Sequence, residues 1–153
     1  MDDEGRPSMG APTAAAAPLS VVECLRDATN RHDLEGIVAC FATGYRNETP
    51  AHPTRSFVGP AQVRRNWTQI LSAVPDVTAD ILASAVAGGT VWSEWRHEGT
   101  RADGSRHRMA GVIVFHVADG LIQSARFFLE PVQEDQDVVG DAVRRQVTPQ
   151  ASA

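Results

Sequence analysis

The feature that most constrains the fold is a change in the spacing of apolar residues between Val74 and Val77. Before this point, apolar side chains recur every three to four residues, which is the spacing of amphipathic helices. After it, apolar and polar residues alternate with a period of two, which is typical of strands with one buried face. Helices followed by strands indicate an α+β domain, in which the helices pack on one face of an antiparallel sheet.

Three helices are predicted in the N-terminal half, each with its own start signal. Serine followed three residues later by glutamate forms a capping box, aspartate can cap a helix, and proline suits the first helical turn. Gly44 is predicted to end the second helix. The start signals are, in order, Ser20-Val21-Val22-Glu23, Asp33 before the apolar face from Leu34 to Phe41, and Gly59-Pro60.

Four strand-like runs follow the third helix and are separated by short turns. Glycine-containing turns such as Asp103-Gly104 and Asp119-Gly120 are favoured in hairpins. Consecutive hairpins predict an antiparallel meander. The runs are Val77 to Ala87, Thr90 to Arg101, Arg106 to Val117 and Leu121 to Glu130.

The length and the ends of the chain predict one domain with two tails. A chain of 153 residues is long enough for one core and short for two ordinary domains. Residues 1–18 are small, acidic or proline-rich without a hydrophobic period, so we predict that they are disordered. Residues 133–153 are polar and are predicted to be flexible. The alternative for Asp137 to Arg145 is a short helix. The domain is therefore expected over residues 19–132.

Composition excludes several classes of function. All 14 basic residues are arginine, so Schiff-base chemistry on lysine and a lysine-bound pyridoxal cofactor are excluded. The net charge of −5 argues against nucleic acid as a partner. An acidic start and the lack of a long apolar run predict a cytoplasmic protein with no membrane contact. Cys24 and Cys40 are interpreted as small buried thiols.

No metal or other cofactor is predicted. The histidines do not fall at a recognised metal-ligand spacing. Those considered are His52, His97, His107 and His116.

The order helix, helix, short strand, helix, four-strand meander resembles the nuclear transport factor 2-like superfamily, in particular its SnoaL-like branch. The run His32 to Phe41 resembles the helix-two signature of ketosteroid isomerases, and Asp119 to Ile122 resembles the hairpin entering the last strand. The resemblance covers roughly Leu19 to Val132. It implies a cone-shaped, curved antiparallel sheet packed on three N-terminal helices, in a cystatin-like α+β barrel. It also implies a pocket on the concave face and a homodimer through the outer sheet face.

The catalytic residues of ketosteroid isomerase are absent at the matching positions. In that enzyme an aspartate base acts with an oxyanion hole made by a tyrosine and a protonated acid. Here the base position falls on Thr49, the tyrosine on Leu25 and the protonated acid on Ile113. That mechanism is therefore not expected in this chain.

The limonene-epoxide hydrolase branch matches in one place. Its Tyr-x-Asn-x-x-Pro motif, which positions the attacking water, has a match in Tyr45 to Pro50. Its Arg-x-Asp pair falls on Trp95 and His97, and its last-strand aspartate falls on Phe127. The resemblance therefore implies the tyrosine and asparagine of that site, but not its arginine and aspartates.

Tyr45, Asn47 and His97 are the candidate catalytic residues, because strand alternation could point them into one cavity. His97 could act as a general acid or base, while Tyr45 and Asn47 hold a water or polarise a carbonyl. The alternative is that His97 is a hydrogen-bonded sheet residue without chemistry. The candidate substrate-binding residues are His52 and Arg55 in the loop at the pocket mouth, and Trp67, Trp95, Met109, Ile113 and Phe127 in the walls. The alternatives are core packing for the wall residues and a solvated loop for the other two.

Charged residues of the meander are predicted on the outer face. Opposite charges on neighbouring strands there would stabilise the sheet or a dimer contact. A register error of one residue would instead turn Glu94 inward as a candidate base. The outer-face residues are Glu94, Arg96, Arg126 and Glu130, with Trp92 at the dimer surface.

Two classes of function remain open from the sequence. The leading hypothesis is a cofactor-independent isomerase, cyclase or hydrolase that acts on a small hydrophobic metabolite. The alternative is a non-catalytic ligand-binding or dimerisation module of the same fold. A transport-factor-like interaction domain would require a large exposed apolar patch.

Overall fold

The computed structural model describes residues 17–151. They form four α-helices, a short 3₁₀ helix and six strands. Disorder is predicted for residues 1–18, and residues 1–16 of that segment lie outside the described residues. In chain order the elements are α1 (Pro18–Asn30), α2 (Leu34–Val38), β1 (Phe41–Glu48), the 3₁₀ helix (Pro53–Arg55), β2 (Phe57–Val58), α3 (Pro60–Ala73), β3 (Thr78–Ala87), β4 (Thr90–Thr100), β5 (Arg106–Ala118), β6 (Leu121–Pro131) and α4 (Val139–Val147).

The helix starts agree with two of the three predicted signals. Asp33 caps α2, since its Oδ1 accepts the backbone N–H of Gly36 at 3.0 Å, and Pro60 begins α3. The prediction of a capping box at Ser20 is wrong. α1 begins at Pro18 and has no side-chain cap, because proline with its fixed φ already suits the first turn. The short helix predicted from Asp137 to Arg145 is present as α4, shifted by two residues.

The end of the second helix is also a correction. α2 ends at Val38, and Phe41 and Gly44 belong to β1. Phe41 pairs in parallel with Ile122 of β6, and the N–H of Ile122 donates to the carbonyl of Cys40 at 2.8 Å. This long-range pairing outweighs the local helical spacing, because propensity is weaker than tertiary contacts.

One curved, unclosed sheet contains all six strands in the order β2-β1-β6-β5-β4-β3. The four predicted runs match β3 to β6 within one residue at each end, so the meander is confirmed. Neighbouring strands are antiparallel except for β1 and β6, which run parallel. The α+β class is therefore confirmed, with one parallel pair that the sequence did not indicate.

The hydrophobic core lies between the concave sheet face and the helices. α1 packs across β3, β4, β5 and β6, while α3 packs on β1 and α2. Asn30 fixes α1 to β3 with two hydrogen bonds, donating from Nδ2 to the carbonyl of Ala79 at 2.9 Å and accepting its N–H at 2.7 Å. The largest fully buried side chains include Tyr45, Phe115, Ile37, Ile122 and Val22.

The two cysteines are less buried than predicted. Both thiols are free; Cys24 is exposed on α1, and Cys40 is half-buried between α2 and β1. The prediction of buried thiols is wrong for Cys24, because α1 turns Val21, Leu25 and Ala28 toward the sheet instead. Burial nevertheless raises the pKa of Cys40 to about 11.

Burial along β4 shows which side chains point to the concave face and which to the convex face. Trp95 is buried on the concave side, while Glu94 and Arg96 are exposed on the convex side. Glu94 therefore does not face the interior, and the alternative register is excluded. On the convex face the Arg126 guanidinium lies over the ring of Trp92, 5.8 Å from its centre.

None of the helices within residues 17–151 has the length and apolar character needed to cross a bilayer. The cytoplasmic location stays a prediction.

Candidate functional site

A cavity of about 300 Å³ lies between the concave sheet face and α3. Its walls are mainly aromatic and aliphatic, with a few polar groups, which is the usual makeup of a small-molecule site. Seven of the ten predicted site residues line it: Tyr45, Asn47, Arg55, Trp67, His97, Met109 and Phe127.

A strip of hydrogen-bonded polar groups on β1 forms one side of the cavity. Tyr45 is 1% exposed, and its hydroxyl donates to Asn47 Oδ1 at 2.9 Å. Asn47 Nδ2 in turn donates to Thr49 Oγ1 at 3.4 Å. Burial raises the pKa of the Tyr45 hydroxyl, so this group stays protonated and keeps its role as donor. The bond to Tyr45 therefore fixes which way the Asn47 amide points.

His97 forms the opposite side of the cavity, on β4. Its ring lies 6.2 Å from that of Trp67 and 5.7 Å from that of Trp95, measured between ring centres. Within residues 17–151, no protein group hydrogen bonds to either ring nitrogen. The alternative of a His97 that is hydrogen bonded within the sheet is therefore not what the structure shows.

The environment of His97 keeps it uncharged at neutral pH. Burial, and after it the charge of His107, lowers the pKa of His97 to about 4, while Asp80 acts in the opposite direction. A neutral imidazole has one N–H donor and one nitrogen acceptor. His97 can therefore offer a ligand either kind of hydrogen bond without carrying a charge.

Three predicted site residues do not line the cavity. Trp95 is 2% exposed and lies deeper in the core, where its Nε1 donates to Ser93 Oγ at 2.8 Å. Ile113, 3% exposed, is packed in the same core. His52 is turned aside by Glu130 of β6, whose Oε1 lies 2.9 Å from His52 Nε2.

The cavity also has lining residues that the sequence analysis missed. His107 could have been found, because it lies two residues before Met109 on β5 and strand alternation places both on one face. Asn66 and Ile70 belong to α3, next to and one turn from Trp67. No sequence signal marked Phe57, since β2 is only two residues long. His107 and Ile70 are both part of the lining.

The lining holds basic side chains but no acidic ones among the described residues. Arg55, His97 and His107 line the cavity, and no aspartate or glutamate does so among the described residues. The same part of the chain contains no group of three histidine, cysteine or acidic side chains that could hold a metal ion. This lining therefore offers hydrogen bonds and basic groups, but no carboxylate to act as nucleophile or to orient a water.

The chain belongs to the SnoaL-like domain family, which matches residues 22–125. This is a branch of the nuclear transport factor 2-like superfamily. No curated protein matches the chain significantly.

Solved structures with the same fold include several enzymes. The epoxide hydrolase/cyclase-like enzyme SalBIII, with a role in pyran ring formation in polyether salinomycin, is 23% identical, with 74% of this chain and 90% of that chain covered and a TM-score of 0.65. An LEH-like epoxide hydrolase from M. tuberculosis is 17% identical and has a TM-score of 0.65, and the match covers 76% of this chain and 84% of that chain. A proposed ketosteroid isomerase from Kribbella flavida is 20% identical and has a TM-score of 0.61, and the match covers 90% of this chain and 91% of that chain. At these identities the likeness shows the fold.

Proposed function

We propose that this chain binds a small hydrophobic metabolite and acts on it as a cofactor-independent isomerase, cyclase or hydrolase, with Tyr45, Asn47 and His97 as its polar site groups. The observation that carries the proposal is the arrangement of the cavity. Asn47 and His97 both present hydrogen-bonding groups to a space whose remaining walls are largely apolar. The solved relatives with the same fold, described as isomerase-like and as epoxide hydrolase or cyclase-like, are consistent with it.

Proton transfer next to a carbonyl group is the chemistry that these side chains suit best. Asn47 Nδ2 would donate to the carbonyl oxygen of the ligand, and the free nitrogen of His97 would accept a proton from the neighbouring carbon. Returning that proton to a different carbon completes an isomerisation. Attack by the enolate carbon on a second carbonyl carbon of the same ligand would give a cyclisation instead. The C–C bond forms as the C=O π bond breaks, and the resulting alkoxide takes the proton back from His97.

The lowered pKa of His97 is compatible with this role. A base with a pKa of about 4 to 5 can abstract such a proton when hydrogen bonds stabilise the enolate that forms. Tyr45 would act through Asn47 as a positioning residue, because its hydroxyl is already committed to Asn47 Oδ1. Hydrolysis is favoured less, since none of the described lining residues is a carboxylate that could orient the attacking water.

The second candidate function is ligand binding without catalysis. It is favoured by the same absence of a carboxylate among the described lining residues, because every catalytic acid of the related enzymes considered above is replaced. Under this proposal the Asn47 amide and His97 would recognise a polar group of the ligand and do no more.

We also propose a homodimer through the convex sheet face. Trp92 and Phe128 are 48% and 42% exposed there, and Val112 pairs across the strands with Phe128. Exposed aromatic side chains of this kind are enriched at protein interfaces.

Binding and proton transfer are tested together with the bicyclic ketone 2-tetralone. Quenching of tryptophan fluorescence reports binding, because Trp67 lines the cavity. Exchange of the protons next to the carbonyl, followed by NMR in deuterated buffer, reports proton transfer. We expect the wild-type protein to accelerate this exchange and His97→Gln to lower the acceleration by about 100-fold.

His116→Gln is the matched control, because His116 is exposed on the same strand as Met109 but outside the cavity. It should leave binding and exchange unchanged. Quenching without exchange would contradict the catalytic proposal and favour the binding module. An absence of quenching would contradict ligand binding in this cavity.

A further inference from the structure

We propose that the cavity continues into an outer site that binds the carboxylate end of an elongated apolar acid, with Arg101 as the residue that recognises the carboxylate. This inference rests on the proposed function, because the apolar body of the same ligand would occupy the inner cavity. It names a substrate class: a medium-length acyl or aryl-alkyl carboxylic acid.

The outer site is a hollow of about 490 Å³ between the C-terminal half of α3 and the turn that joins β4 to β5. It shares two lining residues, Ile70 and His107, with the inner cavity. The two spaces are therefore neighbours across these side chains. A ligand longer than the inner cavity would have to pass between Ile70 and His107 to reach the outer site.

The two walls of the outer site differ in character. The α3 wall presents the aliphatic side chains of Ile70, Ala73 and Val74, which suit a hydrocarbon chain. The turn wall carries Arg101 and Asp103. An apolar chain with an ionised end matches this division, because its carboxylate would reach the turn while its chain remains against the helix.

Arg101 is held in a fixed orientation with part of its guanidinium free. Its Nη1 donates to the carbonyl of Arg106 at 2.6 Å and to Ser105 Oγ at 3.2 Å. Among the described residues, no group accepts a hydrogen bond from its Nε or Nη2. Nε and Nη2 form one edge of the planar guanidinium, which is the edge that can bind a carboxylate with two parallel hydrogen bonds.

Asp103 lies at the same wall but is already bonded within the turn. Its Oδ1 accepts the N–H of Ser105 at 2.9 Å and the hydroxyl of Ser105 at 2.6 Å. Arg101 and His107 both line the outer site, and the charge of Arg101, after burial, lowers the pKa of His107. A carboxylate bound at Arg101 would therefore lie on the same side of the outer site as His107, which both spaces share.

The exposure of the outer site explains why the ionised end belongs there. Arg101 and Asp103 are exposed, so a carboxylate could keep part of its hydration while bonding to the guanidinium. In the inner cavity the same group would lose more of its hydration, which is costly for a charge even with Arg55 in the lining.

The test compares decanoate with decan-1-ol, which share a ten-carbon chain and differ in the charge of the end group. Isothermal titration calorimetry at neutral pH should show that the wild-type protein binds decanoate about tenfold more tightly, as expected for hydrogen bonds to a charged group. Arg101→Gln should abolish this preference. Arg108→Gln is the matched control, because Arg108 is exposed on β5 and lines neither space.

The outcomes separate this inference from the proposed function. If decan-1-ol binds but decanoate is not preferred, or if Arg101→Gln keeps the preference, the outer carboxylate site is overturned and the inner cavity is not. If neither compound binds and 2-tetralone also fails to bind, the proposed function is overturned as well. Circular dichroism checks that each variant is folded, and a preference that falls in about 0.5 M salt supports the ionic contact.

Discussion

Replacing Gly111 with alanine is expected to lower the free energy of unfolding by about 3 kcal/mol or more. Gly111 lies in the middle of β5, between Trp95 of β4 and Leu129 of β6. Its φ is +147°, a conformation that a residue with a side chain rarely adopts. An added Cβ would also overlap the backbone carbonyl oxygen of Phe128. Because that oxygen belongs to the neighbouring strand, relief of the overlap requires the sheet itself to move.

Urea unfolding followed by circular dichroism measures this loss. Gly44→Ala is the control, since Gly44 also lies in a strand, has no positive φ, and has nothing within 4 Å of an added Cβ. The control should change the unfolding free energy by no more than about 0.5 kcal/mol. A Gly111→Ala variant as stable as the wild type would contradict the close approach of β5 and β6 at this position, and with it the shape of the concave face.

The stability of the wild-type protein is expected to fall by about 3 kcal/mol between pH 7 and pH 4 on account of His97 alone. Burial, followed by the charge of His107, lowers the pKa of His97 to about 4, against the weaker opposite effect of Asp80. An unfolded histidine titrates near pH 6.5. Between these two values the unfolded chain binds a proton that the folded protein does not, so acidification favours unfolding.

The contribution of His97 is isolated by comparing urea unfolding of the wild type and of His97→Gln at both pH values. Carboxylates and the other histidines titrate in both proteins and cancel in the difference. His97→Gln should therefore lose about 3 kcal/mol less than the wild type on acidification. Equal losses in the two proteins would show that His97 is accessible to protons in the folded state, and that it is not the neutral cavity residue described above.

The meander could be predicted because its signals are local. Glycine turns and period-two alternation gave β3 to β6 within one residue at each end. The start of β1 could not be predicted in this way. Ile37, Val38 and Phe41 have helical spacing, and only the parallel pairing of Phe41 with Ile122, 81 residues further along the chain, places Phe41 in the sheet.

The sequence could predict which sheet face each site residue occupies, but not how deeply each residue is buried. Alternation correctly put Trp95, His97 and Ile113 on the concave face, but it does not show how far the helices cover each position. Coverage places Trp95 and Ile113 in the core and leaves His97 at the cavity. The contact of His52 Nε2 with Glu130 Oε1 likewise joins distant segments of the chain.

In the proposed function, a small apolar molecule binds between α3 and the concave sheet face, where Asn47 and His97 hold its polar group. A crystal structure of the protein soaked with 2-tetralone tests it most directly. We predict ordered ligand density against Trp67 and Phe127, with the carbonyl oxygen within hydrogen-bond distance of Asn47 Nδ2 or His97. A closed interior, with Asn47 and His97 bonded only to protein groups and the ligand absent or on the outer surface, would contradict the claim.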